Sequence, residues 1–444
     1  MNKIVANVRA AGVVGAGGAG FPTHVKLNSK VDTVVANGAE CEPLLRADRY
    51  LMTRHAPQVV KGLRLVMQAT GAPRGIIALK REYGEALEAL GAVVRDCSDI
   101  RLHLMKSYYP AGDEFLLVYD ATGRQVPEGG IPLEVSVVVQ NVGTLYNVSQ
   151  AQKDVPVTHR WLTVSGEVRE PKVLCVPIGT SFEQVISWAG GYASPQEELA
   201  LVAGGPMMGL VVSPTDVVTK TTSGLLALPQ QGPVVSWMTR PLALAVRRGR
   251  STCDQCRDCT DLCPRYLLGH ELQPHEIMRS INYGLDWPTS IITAAVLCCE
   301  CRLCEAYACP LGLSPMLYYR EVKRQLAEMG WKNEVHRRKE YAAHVMREYR
   351  HVPVRRLVDR LGLTKYVKMA VPSDEREYVP GVVHIPLKQH IGSPSQPVVK
   401  AGDKIRVGDL IAAIPEEALG ANLHASLAGV VRQITEGYVV IERE

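Results

Sequence analysis

The sequence has few aromatic residues, and phenylalanine is the rarest of them: three of the 444 residues are Phe, and 6% of all residues are aromatic. This scarcity argues against a large aromatic-lined pocket for a greasy substrate. No run of about 18 apolar residues occurs, so the sequence predicts no membrane-spanning helix. A net charge of +5 is too small to indicate nucleic-acid binding. The N-terminus lacks the apolar region and cleavage site of a secretory signal, so we expect a cytoplasmic protein that is not integral to a membrane.

Cysteine is the residue type that the sequence does supply, with twelve residues, eight of them in two short runs. The first run reads C-x2-C-x2-C-x3-C-P, and the second differs only in that its last cysteine follows after four residues instead of three. In two-cluster ferredoxins, three cysteines of such a run bind one [4Fe–4S] cluster and the fourth binds the other. We therefore predict one cluster on Cys253, Cys256, Cys259 and Cys309, and a second cluster on Cys263, Cys298, Cys301 and Cys304.

Zinc is the alternative, because structural zinc sites also use CxxC pairs, usually with four thiolates in total. Two cysteine triplets, each followed by Cys-Pro, favour the iron–sulfur clusters. Cys299 is the spare member of a CC pair, and we interpret it as a packed or idle thiol. The isolated Cys41, Cys97 and Cys175 are interpreted as structural, since nothing indicates export to a disulfide-forming compartment.

The remaining patterns predict about three or four domains. Strands at 33–36, 74–80 and 133–139 and a helix at 81–90 indicate an α/β domain up to about residue 155. Short strands with one helix follow at 160–228, and 229–250 is interpreted as a linker. The region from Cys253 to about Arg360 is predicted to be mostly helical. Turn signals every 8–10 residues from about Val379 favour a small β-barrel or sandwich.

The motif GAGGAG at 15–20 is rich in the residue that lets backbone amides approach a phosphate closely. It lacks the Rossmann context, because no strand leads into it and no acidic residue follows at the right place. By itself the motif is equally consistent with a flexible turn.

Four stretches together resemble a known family: GAGGAGFPTHVKL (15–27), ANGAECEP (36–43), YPAGDEF (109–115) and QNVGT (140–144). The family contains the flavoprotein subunit of respiratory complex I, the RnfC subunit and the PduS-type cobalamin reductases of propanediol utilisation. The resemblance implies that these loops converge on FMN, with NADH stacked over it. It implies that the flavin phosphate and ribityl region are held by Gly15, Gly17, Gly18 and Lys26. It implies that the ribityl chain and ring are reached by Asn37, Glu40, Glu114, Asn141 and Thr144.

The sequence departs from the complex I motif at two positions, where Ala16 replaces an arginine and Ala39 an aspartate. The aromatic residues that sandwich NADH in complex I have no clear counterpart. The resemblance therefore supports flavin binding more directly than NADH binding.

Residues 160–212 resemble the SLBB β-grasp module, and the C-terminal tail resembles the barrel-sandwich hybrid domain of RnfC. No lysine lies between His424 and Val430, so a covalent carrier role is not expected. The fold class that follows is multidomain, α/β plus α+β. The predicted domains are an FMN/NADH-binding domain at 1–155, an SLBB domain at 156–228, a linker with a helical two-cluster ferredoxin-like domain at 229–375, and the hybrid domain at 376–444.

The hybrid domain comes last in this sequence, as in the PduS-type reductases, whereas RnfC begins with it. The resemblance then implies an NADH-dependent cobalamin reductase that uses FMN and two [4Fe–4S] clusters to reduce the corrinoid cobalt, with no catalytic acid or base required for the relay. It implies coenzyme B12 recycling inside a bacterial microcompartment, with a corrinoid adenosyltransferase and shell proteins as partners. The alternatives are an RnfC-like subunit of a membrane-associated complex that does not reduce corrinoid, and a non-catalytic scaffold.

A basic stretch at 331–356 completes the sequence-based expectations. Its charges predict solvated helix faces. A second hypothesis is that the stretch docks an acidic redox partner near the clusters.

Overall fold

The computed structural model describes residues 2–194, 199–284, 289–415 and 417–444. Within these ranges no helix is long and apolar enough to cross a membrane. The chain forms four successive bodies, each with its own sheet or helical core.

The first body is an α/β domain. Its strands are β1 Thr33–Gly38, β2 Arg74–Lys80, β3 Ile100–Met105, β4 Tyr108–Tyr109 and β5 Val137–Asn141. Its helices are α1 Lys3–Ala10, α2 Thr23–Leu27, α3 Ala47–Arg54, α4 Ala56–Thr70, α5 Gly84–Val94, α6 Glu114–Thr122 and α7 Val142–Ala151. The four longer strands are parallel in the order β3-β2-β1-β5. The chain therefore turns to opposite sides of β1, and the carboxyl ends of β1 and β5 form the switch point at which open α/β sheets bind ligands.

The second body is a β-grasp sheet with one helix laid on it. Its elements are β6 His159–Gly166, β7 Lys172–Pro177, α8 Phe182–Trp188, β8 Leu199–Ala203, β9 Leu210–Val212 and β10 Gly224–Pro229. Ser181 caps α8 by accepting a hydrogen bond from the amide of Gln184, and glycines with positive φ follow the helix, as its sequence predicts.

The third body is built from short helices. They are α9 Pro233–Met238, α10 Leu242–Thr252, α11 Asp258–Asp261, α12 Pro264–Leu268, α13 Pro274–Asn282, α14 Ser290–Thr293, α15 Pro315–Glu328, α16 Val354–Arg360 and α17 Thr364–Val367. Its two short strands join other bodies: β11 Val352–Pro353 pairs with β4, and β12 Ser373–Asp374 pairs with β7.

The C-terminal body contains two small sheets, in the orders β13-β19-β18-β15 and β14-β16-β17. Its strands are β13 Val382–Pro386, β14 Gln396–Pro397, β15 Lys404–Ile405, β16 Leu410–Ala413, β17 Leu423–His424, β18 Gly429–Ile434 and β19 Tyr438–Glu442. Lys220 joins this body to the first two, since its Nζ donates to the carbonyls of Gly12 and Asn422 at 2.6 Å each. Burial lowers the pKa of Lys220 to about 7.

Three sequence-based predictions are wrong. Residues 132–135 form a 3₁₀ turn that starts at Pro132, so the strand predicted at 133–139 begins at Val137. The linker predicted at 229–250 contains α9 and most of α10, because their apolar residues are buried against the neighbouring bodies. The basic stretch at 331–356 is mostly irregular, and its Arg338 and Arg347 form ion pairs with Glu128 and Asp120 of the first body.

Candidate cofactor sites

The glycine-rich loop lies against the N-terminus of α7. The Gly15 amide donates to the Phe21 carbonyl at 2.9 Å and closes the loop, and the Ala16 amide donates to Thr144 Oγ1 at 2.9 Å. A Cβ added at Gly17 would come within 2.8 Å of Asn141 Nδ2. Glycine is therefore required at this position for the loop to approach the helix so closely.

Asn141 organises this helix terminus with both ends of its amide. Its Oδ1 accepts the Gly143 amide at 2.8 Å and caps α7, while its Nδ2 donates to Asp48 Oδ2 at 2.7 Å. The free amides at a capped helix N-terminus attract a phosphate through hydrogen bonds and the helix dipole.

A cavity of about 410 Å³, which we call the flavin cavity, opens between this loop and the carboxyl ends of β1 and β5. Eight of the nine residues predicted to contact FMN line it: Gly15, Gly17, Gly18, Lys26, Asn37, Glu114, Asn141 and Thr144. Lys26 Nζ and Glu114 Oε1 lie 3.1 Å apart inside it. The volume is in the range of small-molecule sites. A cation, a helix N-terminus and an apolar wall formed by Val137–Val139 fit a phosphate-bearing ring cofactor.

A second cavity of about 220 Å³, the inner cavity, adjoins the first. The two cavities share four lining residues, Gly17, Asn37, Gly112 and Asn141. The ninth predicted residue, Glu40, faces the inner cavity together with Cys301 from the cysteine region. The inner cavity thus connects the flavin cavity with one of the predicted cluster ligands.

Two buried carboxyl groups line the inner cavity beside its polar wall. Glu40 accepts the amides of Asp48 and Arg49 at 2.8 and 3.3 Å, and burial followed by the Asp48 charge raises the pKa of Glu40 to about 7. Glu42 accepts the amides of Met207 and Met208 at 2.8 Å each, which ties the first body to the β-grasp sheet. Burial raises the pKa of Glu42 to about 7 as well.

The two cysteine loops share one unusual backbone conformation. Gln255 and Arg257 in the first loop, and Glu300 and Arg302 in the second, have positive φ values between 57° and 71°. Each pair flanks the second cysteine of its run. Such residues cost of order 1–3 kcal/mol each and persist at functional sites that over-determine them. The equivalent positions show that the two runs form the same loop twice.

The extra residue of the second run is accommodated by a π-helical turn at Cys304–Ala308. The Cys309 amide donates to the Cys304 carbonyl at 3.2 Å, five residues earlier. In the first run, α11 reaches Cys263 without such a turn. The π turn absorbs the inserted residue without breaking the helical turn that leads to Cys309.

The structure gathers the cysteines into the two predicted sets. Together Cys253, Cys256, Cys259 and Cys309, the outer set, line one cavity. The remaining four are Cys263, Cys298, Cys301 and Cys304, the inner set. In the inner set, Cys298, Cys301 and Cys304 each lie within electrostatic range of Cys263. Cys304 also lies in range of Cys259, so the two sets are neighbours.

An orphaned hydroxyl marks the space between the two sets. Tyr319 is 1% exposed, and its OH has no hydrogen-bond partner among the residues that the structure describes. It lies in range of Cys259, Cys263 and Cys298. Bound clusters would supply the missing sulfur acceptors. Within the described ranges, no three His, Cys, Asp or Glu side chains are placed to hold a single metal ion; the ligands of a four-iron cube lie around its corners instead.

The burial of the two sets gives the region a direction. Cys301 lines the inner cavity, whereas Cys256 of the outer set is exposed to solvent. The sets therefore lead from the flavin side of the protein to its surface.

Sequence reasoning missed residues that act across domain boundaries. Arg160 of the β-grasp sheet donates to the carbonyls of Ala16 and Thr222 at 2.8 Å each and braces the glycine loop. Cys299, interpreted as idle, lies beside Cys301. Only its position next to a ligand could have drawn attention to it, and no local pattern links residues 16 and 160.

Family models match nearly the whole chain. The Nuo51 FMN-binding domain matches residues 8–150, the SLBB domain 162–211, the 4Fe-4S dicluster domain 252–314 and the RnfC barrel-sandwich hybrid domain 374–444. They confirm the predicted fold class and the predicted FMN and iron–sulfur cofactors.

Similar curated relatives include two proteins described as cobalamin reductase PduS. The protein of Citrobacter freundii is 43% identical over 98% of this chain and 95% of its own length. That of Salmonella typhimurium is 43% identical over 100% of this chain and 97% of its own. The RnfC-type component of the Na(+)-translocating ferredoxin:NAD(+) oxidoreductase complex of Acetobacterium woodii is 39% identical over 60% of this chain and 58% of its own. Among solved structures, a chain of an H2-reduced NAD+-reducing [NiFe]-hydrogenase matches with a TM-score of 0.48 and 20% identity over 75% of this chain and 63% of its own.

Proposed function

The chain belongs to the PduS family of cobalamin reductases, and from that membership we propose that it passes electrons from NADH, through FMN and two [4Fe–4S] clusters, to the cobalt of a corrinoid. Bound FMN supplies the conversion of a two-electron hydride into single electrons, which iron–sulfur clusters carry onward. The chain's own residues have to hold these groups in order and keep water from the path between them.

The observation that carries the proposal is the inner cavity. Its walls include Gly17, Asn37 and Asn141 from the flavin cavity and Cys301 from the inner cysteine set. A site for a two-electron carrier and a site for a one-electron carrier thus face one small enclosed space. No acid or base is needed along this path.

The flavin contacts follow from the same geometry. We assign the phosphate to the N-terminus of α7 and the glycine loop, with Lys26 as the compensating cation. Glu114 holds the Lys26 ammonium in place at 3.1 Å. Glu40 faces the inner cavity, and Asn37 and Asn141 lie at the boundary between the two cavities.

The electron exit lies at the outer set, because Cys256 is the exposed ligand. A corrinoid is too large for the 220 Å³ inner cavity, so we place its reduction at the protein surface near Cys256. The reduced corrinoid would then pass to a corrinoid adenosyltransferase within a bacterial microcompartment, a step that we infer from the chain's membership of the PduS family.

A second candidate is an electron-transfer subunit that delivers electrons to a protein and does not reduce corrinoid. The similarity to the component of the Acetobacterium woodii complex favours it. That similarity covers 60% of this chain, whereas the similarity to the cobalamin reductases covers 98% or more.

The deciding experiment uses the full chain reconstituted with iron, sulfide and FMN without oxygen. NADH is added with free cob(III)alamin, and the cobalt is followed by its visible absorption. Lys26→Met should lower the bound flavin and the rate together, whereas Lys30→Met, an exposed neighbour, should change neither. A protein that keeps flavin and clusters, oxidises NADH with an artificial acceptor and leaves the corrinoid untouched would favour the second candidate.

A further inference from the structure

Arg265 crosses from the cysteine region into the first body. It lies on α12, two residues after Cys263 of the inner set. One terminal nitrogen of its guanidinium donates to Asp113 Oδ2 at 2.7 Å, and the two side chains are only 9% and 10% exposed. The guanidinium also lies over the Phe115 ring, 3.7 Å from its centroid. Ion pair and cation–π contact together fix the plane of the guanidinium.

Asp113 belongs to the flavin side of this contact. Its carboxylate caps α6 by accepting the amides of Phe115 and Leu116 at 3.1 and 3.3 Å, and it lines the inner cavity. Its neighbours Gly112 and Glu114 line the flavin cavity. A single buried ion pair therefore joins the flavin-binding loop to the helix that follows a cluster ligand.

The other side of the guanidinium faces sulfur. The Cys299 thiol lies within hydrogen-bonding reach of Arg265 and of Cys301. Arg265 Nε is buried and has no hydrogen-bond partner among the residues that the structure describes. An unpaired buried donor costs about 1–3 kcal/mol. A cluster on the inner set would place sulfur acceptors beside it.

From this placement, and resting on the proposed function, we propose that Arg265 is a positioning residue that sets the reduction potential of the inner cluster and couples it to the flavin site. A cluster gains negative charge when it is reduced. A fixed cation and a hydrogen-bond donor beside its sulfurs stabilise the reduced form and raise its potential. Asp113 opposes this effect, because its charge offsets part of the guanidinium's.

Two substitutions should shift the inner-cluster potential in opposite directions. Arg265→Gln removes the cation and leaves Asp113, so the potential should fall. Asp113→Asn keeps the helix cap but removes the opposing carboxylate, so the potential should rise. Arg265→Lys keeps a charge without the planar fork and should restore part of the loss. Arg279→Gln is the matched control, since Arg279 forms an exposed ion pair on α13 in the same region.

The measurement is a dithionite titration of the cluster-reconstituted full chain, followed by electron paramagnetic resonance. The inner cluster is identified as the signal that survives in Cys256→Ala. The titration needs neither NADH nor corrinoid, so its outcome does not depend on the chain's substrate. If Arg265→Gln fails to assemble the inner cluster, the rise in Asp113→Asn still decides. An unchanged potential in both variants, or shifts of the same sign, would reduce the contact to a structural ion pair and overturn the proposal.

Discussion

Asn141 provides the sharpest test of how the flavin cavity is built, because its two amide atoms have separate functions. Replacing Asn141 by Ser keeps an oxygen that can cap α7 but removes the donor to Asp48. Replacing it by Ala removes both. The cap contributes about 1 kcal/mol, and leaving the buried Asp48 carboxyl without this donor costs about 2 kcal/mol, the middle of the usual range for an unpaired buried group.

These terms predict a graded loss of stability. For a domain of about 150 residues, 1 kcal/mol lowers the melting midpoint by about 2–4 °C. Asn141→Ser should therefore melt about 4–8 °C below the wild type, and Asn141→Ala a further 2–4 °C lower. Calorimetry of the deflavinated protein measures this without a contribution from bound ligand. Asn147→Ser, in the middle of the same helix, is the control for the change of residue type.

The outcome separates the two functions of Asn141. A Ser variant as stable as the wild type would mean that the bond to Asp48 contributes nothing, and equal Ser and Ala variants would mean the same of the cap. Either result would refute the reasoning that this helix terminus is organised in advance of flavin binding.

Three further predictions address other parts of the molecule. Cys256→Ala should lower the iron content from about eight to about four per chain with the flavin content unchanged; loss of flavin as well would mean that the two sites are not separate. Gly62→Ala should destabilise by about 1–3 kcal/mol, since its Cβ would lie 2.0 Å from the Leu145 carbonyl; Gly91→Ala, with open space in the described structure, should stabilise by about 0.5–1 kcal/mol, and equal midpoints would contradict the close packing of α4 on α7. Because burial raises the folded-state pKa of Glu42 from 4.5 to about 7, its contribution is present at acid pH and is lost as pH rises through about 7; Glu42→Gln should remove this pH dependence, and a persisting slope in the melting midpoint would assign it to another group.

Local patterns in the sequence were sufficient for much of the fold. Strands β1 and β2 begin at the predicted residues, since buried strands appear as short apolar runs. The predicted helix at 81–90 begins three residues later, at Gly84, and runs to Val94. The errors at 133–139 and 229–250 have a common cause. Proline begins a turn or helix at these sites, and its effect depended on which neighbours were available to bury the following apolar side chains.

The sequence by itself determined which cysteines are candidates for each cluster, because a spacing of two or three residues restricts how a short loop can present its thiols. It also indicated the four flavin loops through their resemblance to a family. The tertiary structure alone decided that Glu40 faces the inner cavity, that a π turn absorbs the additional residue before Cys309, and that Asp113 meets Arg265 beside Cys299. The physical reason is range. Backbone geometry limits contacts within a few residues, whereas contacts between residues 113, 265 and 299 exist only because separately folded bodies pack against each other.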